Sequence, residues 1–194
     1  NTITLNQRND GGNISRSHTV NTGIDYYMSE EQTLSLSLTA NVPNGIRDEM
    51  IVYENRQTAP GTLPQFSRGS VNFNEGQGYD AALNYKYTFA PRHELTASAS
   101  ISSNENTNNQ DFIQDFTMPD SLLLQRQNRS VNNSTVILQA DYNKAYDNGA
   151  SLEGGYKSTI RRLDNNFIFE DFFNNTWVNH HGITINFIFD ATYQ

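Results

Sequence analysis

The stretch "ALNYKYTFAPRHELTASASI", residues 82–101, decides the fold. Its odd positions are Leu83, Tyr85, Tyr87 and Phe89, then Leu95, Ala97, Ala99 and Ile101. Its even positions are Ala82, Asn84, Lys86 and Thr88, then Glu94, Thr96, Ser98 and Ser100. Side chains alternate faces along an extended chain, so this is two strands with one apolar and one polar side, joined by a tight turn at "APRH".

The same alternation recurs outward in both directions. Strands are expected at about 2–7, 18–28, 33–42, 79–89, 93–103, 134–146, 150–162 and 182–194. Their apolar sides carry Val20, Ile24 and Tyr26; Leu34, Leu36 and Leu38; Val136, Leu138 and Tyr142; Leu152, Tyr156 and Ile160; and Ile185, Phe187 and Phe189. No comparable segment follows the helical period. Short connections, "SEEQ", "APRH" and "DNG", alternate with three long ones read as loops at about 43–77, 105–133 and 163–181. Across each short connection the apolar parity is kept, which requires an odd number of intervening residues. "Asp147-Asn148-Gly149" therefore predicts a type I turn closed by a left-handed glycine, not a two-residue primed turn.

Charge separates the two sides. The apolar-side positions counted are every second residue of Val20 to Met28, Leu34 to Val42, Ala81 to Phe89, Leu95 to Ile101, Val136 to Tyr142, Leu152 to Ile160 and Ile183 to Tyr193. None of them is Asp, Glu, Lys or Arg, whereas the opposite side holds Asp25, Asp80, Lys86, Glu94, Asp141, Glu153, Lys157, Arg161 and Asp190. Strands of about 11 to 13 residues exceed the five or six usual in soluble sheets and match what crosses a bilayer at a tilt. A sheet in lipid must close, because hydrocarbon offers no partner to edge amides. The expectation is an all-β, antiparallel up-and-down meander of about eight long strands in a transmembrane β-barrel of the bacterial outer membrane. Tyr26, Tyr85, Tyr87, Phe89, Tyr142 and Tyr193 fall near the short-turn ends, where an interfacial aromatic girdle belongs. The alternative that shares the period-2 signal is a soluble β-sandwich, such as a carbohydrate-binding module. It accounts for neither the strand length nor the one-sided loops.

The bulk composition is consistent with this and narrows function. Of 194 residues 36% are hydrophobic, and mean hydropathy is −0.67, polar for a packed soluble domain. Net charge is −8, which disfavours nucleic-acid binding. There is no cysteine, and no run of apolar residues long enough for a membrane helix. The opening "NTITLNQRND" is not a signal peptide, and the chain reads as beginning inside a strand.

Three segments resemble the barrel repeats of Bacteroidetes TonB-dependent receptors, in particular the outer-membrane β-barrel family of their C-terminal portions. They are "NTGIDYYMSEEQTLSLSLTANV" (21–42), "YDAALNYKYTFAPRHELTASASISSN" (79–104) and "ILQADYNKAYDNGASLEGGYKSTIRRLDNNF" (137–167). The resemblance implies consecutive hairpins of a barrel of about 22 strands with a plugged lumen. On that reading residues 1–194 are one segment of barrel wall without plug domain, signal peptide or TonB-contacting segment. The implied function is uptake of a nutrient ligand. Implied partners are the lipid bilayer, the plug and remaining strands of the parent chain, TonB through that chain, and an unknown extracellular ligand. The alternative within the membrane class is a small self-contained barrel acting as an adhesin or structural anchor.

Site residues follow from the same faces. Leu34, Leu36, Leu38, Leu83, Tyr85, Tyr87, Phe89, Leu95, Ile101, Leu138, Tyr142, Tyr156, Ile185, Phe187 and Phe189 are expected against lipid. The nine charged residues named above are expected in the lumen. Phe112, Phe116, Phe172, Phe173 and Trp177 are the candidate loop contacts for a ligand or partner. His180-His181, near Glu170 and Asp171, is set aside as a metal site, since adjacent side chains on an extended segment diverge. No nucleophile motif or phosphate-cradling loop is present, and no enzyme activity, cofactor or metal is expected.

Overall fold

The computed structural model describes residues 3–57, 66–117, 120–180 and 182–193. These form one antiparallel sheet of eight strands: β1 Ile3–Tyr27, β2 Gln32–Gln57, β3 Phe66–Ala90, β4 His93–Thr117, β5 Asp120–Ala145, β6 Ser151–Phe173, β7 Thr176–Asn179 and β8 Ile185–Tyr193. Each strand from β1 to β6 pairs with the next in sequence, and β7 and β8 both pair with β6. Among the described residues the sheet is open, with β1 bonded to β2 alone.

The expected count of eight is met by a different division of the chain. The first two expected strands are one, because β1 pairs with β2 without interruption from Ile3↔Gln57 to Tyr27↔Thr33. The short β7 is additional. More consequentially, the segments expected as long loops are strand through nearly all their described length. Residues 44–53 pair with 66–75 and residues 54–57 with the start of β1, 105–117 pairs with 120–132, and 163–173 lies against β7 and β8. The physical reason appears in the side chains: in "NENTNNQDFIQDF", both faces carry polar groups, so alternation loses its contrast although the backbone stays extended.

The short turns follow the odd-length rule. Gly149 has φ +85°, its N–H donates to Tyr146 O at 3.1 Å, and Tyr146 N–H donates to Ala150 O at 2.8 Å. This is the expected type I turn closed by a left-handed glycine. Between β3 and β4 the same parity is reached otherwise, by a two-residue turn, Pro91-Arg92, plus a bulge between Thr88 and Ala90. At the opposite rim Asn174 and Asn175 both have positive φ and make a two-residue turn between Phe173 and Thr176.

Directly paired residues of antiparallel strands share a face, so the registers assign sides. One side carries successive rows: Tyr26–Leu34–Tyr85–Ala97–Ala140–Tyr156, then Ile24–Leu36–Leu83–Ala99–Leu138–Ser158, then Thr22–Leu38–Ala81–Ile101–Val136–Ile160. The next row, Val20–Ala40–Tyr79–Ser103–Ser134–Arg162, ends the apolar band. From Phe89 to Tyr79 is roughly 34 Å of strand, or about 26 Å in height at the tilt usual for barrels. No second layer covers it: among the described residues no hydrophobic side chain is buried, and Leu83 (44% exposed), Leu138 (47%) and Ile101 (53%) lie open.

Rings close the lower edge of the band. Phe89 stacks on His93 at 4.5 Å, His93 meets Tyr142 edge-on at 5.3 Å, and Tyr142 Oη lies 2.9 Å from His93 Nε2. Lys144 Nζ sits 4.9 Å over Tyr146, its stem along the apolar face and its charge at the rim. Above Tyr79 the strands continue for about 13 further residues, some 34 Å of height by the same reckoning. The structure is thus two-tiered: a lower tier with one apolar face and an upper tier polar on both.

Candidate functional site: the inner wall

The polar side of the lower tier gathers the charged residues expected in the lumen. The row Asp25–Ser35–Asn84–Ser98–Gln139–Lys157 lies next to the row Thr33–Lys86–Thr96–Asp141. Lys86 Nζ bridges Glu94 at 2.8 Å, and Gln139 Nε2 donates to Asp141 at 2.7 Å. Asp80, Glu153 and Arg161 share this side. Exposed pairs of this kind add at most about 1 kcal/mol each and serve as a hydrated, self-neutralising surface.

In the upper tier the same side changes character. Asn108 Nδ2 donates to Asn72 Oδ1 at 2.8 Å and to Asn74 Oδ1 at 2.6 Å, tying β4 to β3 through amides. Arg129 Nε donates to Asn165 Oδ1 at 3.3 Å, with Asn165 buried, and Arg161 Nε donates to Asn133 Oδ1 at 2.9 Å. Toward the tip stand rings: Tyr53 stacks on Phe66 at 4.3 Å, Phe66 meets Phe116 at 5.7 Å, and the Arg68 guanidinium lies 4.4 Å over Phe112. Phe112 approaches Phe169 at 6.5 Å, and Phe169 meets His180 edge-on at 6.2 Å. Asp171 is held by Gln125 Nε2 at 2.8 Å and by His180 Nδ1 at 2.9 Å. The Gln125 hydrogen bond, followed by the His180 bond, keeps the Asp171 carboxyl below the ordinary carboxylate range.

The other side of the same tip has a separate cluster. Arg126 Nε bonds Glu170 at 2.5 Å and its guanidinium covers Trp177 at 4.4 Å, with Phe172 5.1 Å from Trp177. The Glu170 hydrogen bond raises the Arg126 pKa above its ordinary value. The five candidate loop contacts therefore divide. Phe112, Phe116 and Phe173 lie on the side of Arg161 and Lys157, whereas Phe172 and Trp177 lie on the side of the apolar band.

A model described as the outer membrane protein β-barrel family matches residues 87–193, from the end of β3 through β8. The chain belongs to the outer membrane protein β-barrel family. No curated protein matches it. Membership places the chain in the bacterial outer membrane.

For this barrel protein one strand departs from expectation. Ile185, Phe187 and Phe189, expected against lipid, pair with Phe167, Asn165 and Leu163 and so lie on the lumen side. Asp190, expected in the lumen, pairs with Arg162 at the upper edge of the lipid band, 4.0 Å from its guanidinium. The cause is an insertion. Between the pairs Glu170↔Asn179 and Phe167↔Ile185, β6 advances three residues while the opposing segment advances six. Ile183 and Thr184 N–H both turn back to His180 O, and the three extra residues invert the parity of β8. His180 itself bonds Asp171, and His181 lies outside the described residues.

Sequence reasoning missed Arg68, Arg129, Phe66 and Phe169, since their strands had been read as loops. Phe112 and Phe116 did carry a signal: they share parity four residues apart in "FIQDF".

Proposed function

We propose that this chain is part of the wall of a TonB-dependent receptor that takes up a nutrient ligand across the outer membrane. The reading assigns the lower tier to anchoring and lumen, and the upper tier to ligand capture outside the membrane. Its partners are a plug domain, the remaining strands of the parent barrel, TonB acting through that parent, and an extracellular ligand. It assigns no catalytic step, cofactor or nucleic acid. The observation that supports it is the upper tier itself: an anchor alone gains nothing from strands about 13 residues longer than the bilayer requires, lined inside by rings, amides and arginines.

The test is uptake. Cells expressing the intact protein should accumulate its ligand when energised, and should bind but not accumulate it when TonB is absent or the proton gradient is collapsed. Accumulation that is indifferent to both would leave a passive pore, and no ligand-dependent uptake at all would leave an anchor or adhesin.

A further inference from the structure

Three arginines of the inner side, two in the upper tier and Arg161 at its lower border, stand at regular intervals. Projected through the registers onto β3, Arg68 stands at its own level, Arg129 at that of Asn74, and Arg161 at that of Asp80. Each step is six residues, roughly 20 Å along the wall. All three lie on the inner side, and none makes a salt bridge among the described residues. Each is fixed by a neutral neighbour instead: Phe112 beneath Arg68, Asn165 beside Arg129, Asn133 beside Arg161. Those contacts orient the guanidinium and leave its charge and its remaining donors free.

The inner wall of the upper tier holds few charges to compete with them. Arg47 lies 3.9 Å from Glu49, and Asp171 is occupied by Gln125 and His180. On the outer side the balance reverses, with Asp48, Glu75, Glu105 and Asp111 among its acids. From the level of Arg161 downward the lumen side also becomes acidic, with Asp80 in the same row and Asp141, Glu94, Glu153 and Asp25 below it against two lysines. In a chain of net charge −8, three arginines without an ion pair thus share the inner surface, while on the outer side Arg8 and Arg16 stand among a larger number of acids.

Resting on the receptor reading above, we infer that the inner wall of the upper tier binds an elongated ligand bearing several carboxylates. It lies along the strands from the Phe112 rim to the level of Arg161. Guanidinium pairs with carboxylate through parallel N–H donors, and the asparagines between the arginines hydrogen-bond the segment connecting the charges. A compact anion meets one arginine at a time; a chain of some 40 Å meets all three. The acidic lower tier opposes further descent of a bare polyanion, so this wall captures the ligand at membrane level and does not conduct it.

The probe is a fluorescently labelled dodecaglutamate, roughly 40 Å when extended. Binding is measured on isolated outer membranes carrying the intact protein, without an energy source, by anisotropy. A neutral dodecamer of alternating Gly and Ser, and free glutamate as competitor, serve as controls. Arg68→Gln, Arg129→Gln and Arg161→Gln should each weaken binding about three- to fivefold, and the triple variant by the product, as expected for exposed ion pairs. Lysine at the same positions should retain most of the affinity. Arg126→Gln, on the outer side, should change nothing, and added salt should weaken wild type more than the triple variant. Heat-dependent gel mobility checks that each variant is folded, and the lysine variants keep the test open if a glutamine variant is not. Equal binding of the neutral dodecamer, competition by glutamate at equal carboxylate concentration, or an effect of Arg126→Gln as large as that of Arg129→Gln would overturn the inference. The receptor reading stands or falls on energised uptake, which this measurement does not involve.

Discussion

An arginine in place of Leu138 tests the lipid-facing assignment most directly. Leu138 belongs to the row of Ile24, Leu36, Leu83 and Ala99, four residues below the Tyr79 row and six above Phe89 on β3. At about 3.4 Å per residue and a tilt near 40°, that is about 10 Å below one edge of the band and 15 Å above the other. Leu138 is thus close to the bilayer midplane, where an outward arginine costs about 2–4 kcal/mol. Ser134→Arg, four residues higher on the same side at the band's edge, should cost no more than about 1 kcal/mol. Gln139→Arg, adjacent to Leu138 but directed into the lumen, should stay within about 0.5 kcal/mol. The assay is guanidinium unfolding of the intact protein in phosphatidylcholine vesicles, followed by far-UV circular dichroism and heat-dependent gel mobility, with the free energy taken from the midpoint and slope. Equal penalties at 138 and 139, or at 138 and 134, would refute the reasoning, because only a lipid-covered face distinguishes both side and depth.

Three further outcomes follow from specific contacts. The chain has no cysteine, so the double variant Arg162→Cys/Asp190→Cys should oxidise to a disulfide in vesicles, whereas Arg161→Cys/Asp190→Cys should not; the reverse result would place β8 in the opposite parity. The Asp171 carboxyl is held below its ordinary range, so the stability it contributes is complete above that range and is lost as pH falls through the depressed value. Protection of the amides of residues 172–180, relative to the unstructured exchange rate at each pH, should fall on acidification through that window, and Asp171→Asn should remove the step. Gly149→Ala should cost about 1 kcal/mol because of its φ of +85°, although open space surrounds it, and Gly149→Asn should cost less; unfolding midpoints compare the two.

How much was legible in the sequence depends on what surrounds each strand. Leu83, Tyr85, Leu95 and Ile101 announced their face because one side of these strands is apolar and the other polar. The period-2 signal reports that difference between sides, not extension itself. Where both sides are wet, as from Asn104 to Gln110, the chain is as extended as before but has no contrast to display. The arginines at 68 and 129 were invisible for the same reason. β8 failed differently: "INFIFDATY" alternates well, and its internal pattern was read correctly. Which side that pattern meets was set upstream, by three inserted residues between His180 and Thr184, and parity carried across a long connection cannot be counted without knowing the register.

The two tiers divide each long strand into stretches under unrelated constraints. On the receptor reading proposed above, substitutions between Phe66 and Asn74 leave the bilayer contact unchanged, and substitutions between Ala81 and Phe89 leave the ligand contact unchanged. The distal half of such a barrel is thus free to diversify over generations while its insertion into the bilayer is inherited unchanged. Relatives should accordingly differ most where this chain is most polar, and a new specificity could be grafted at the tips without rebuilding the anchor.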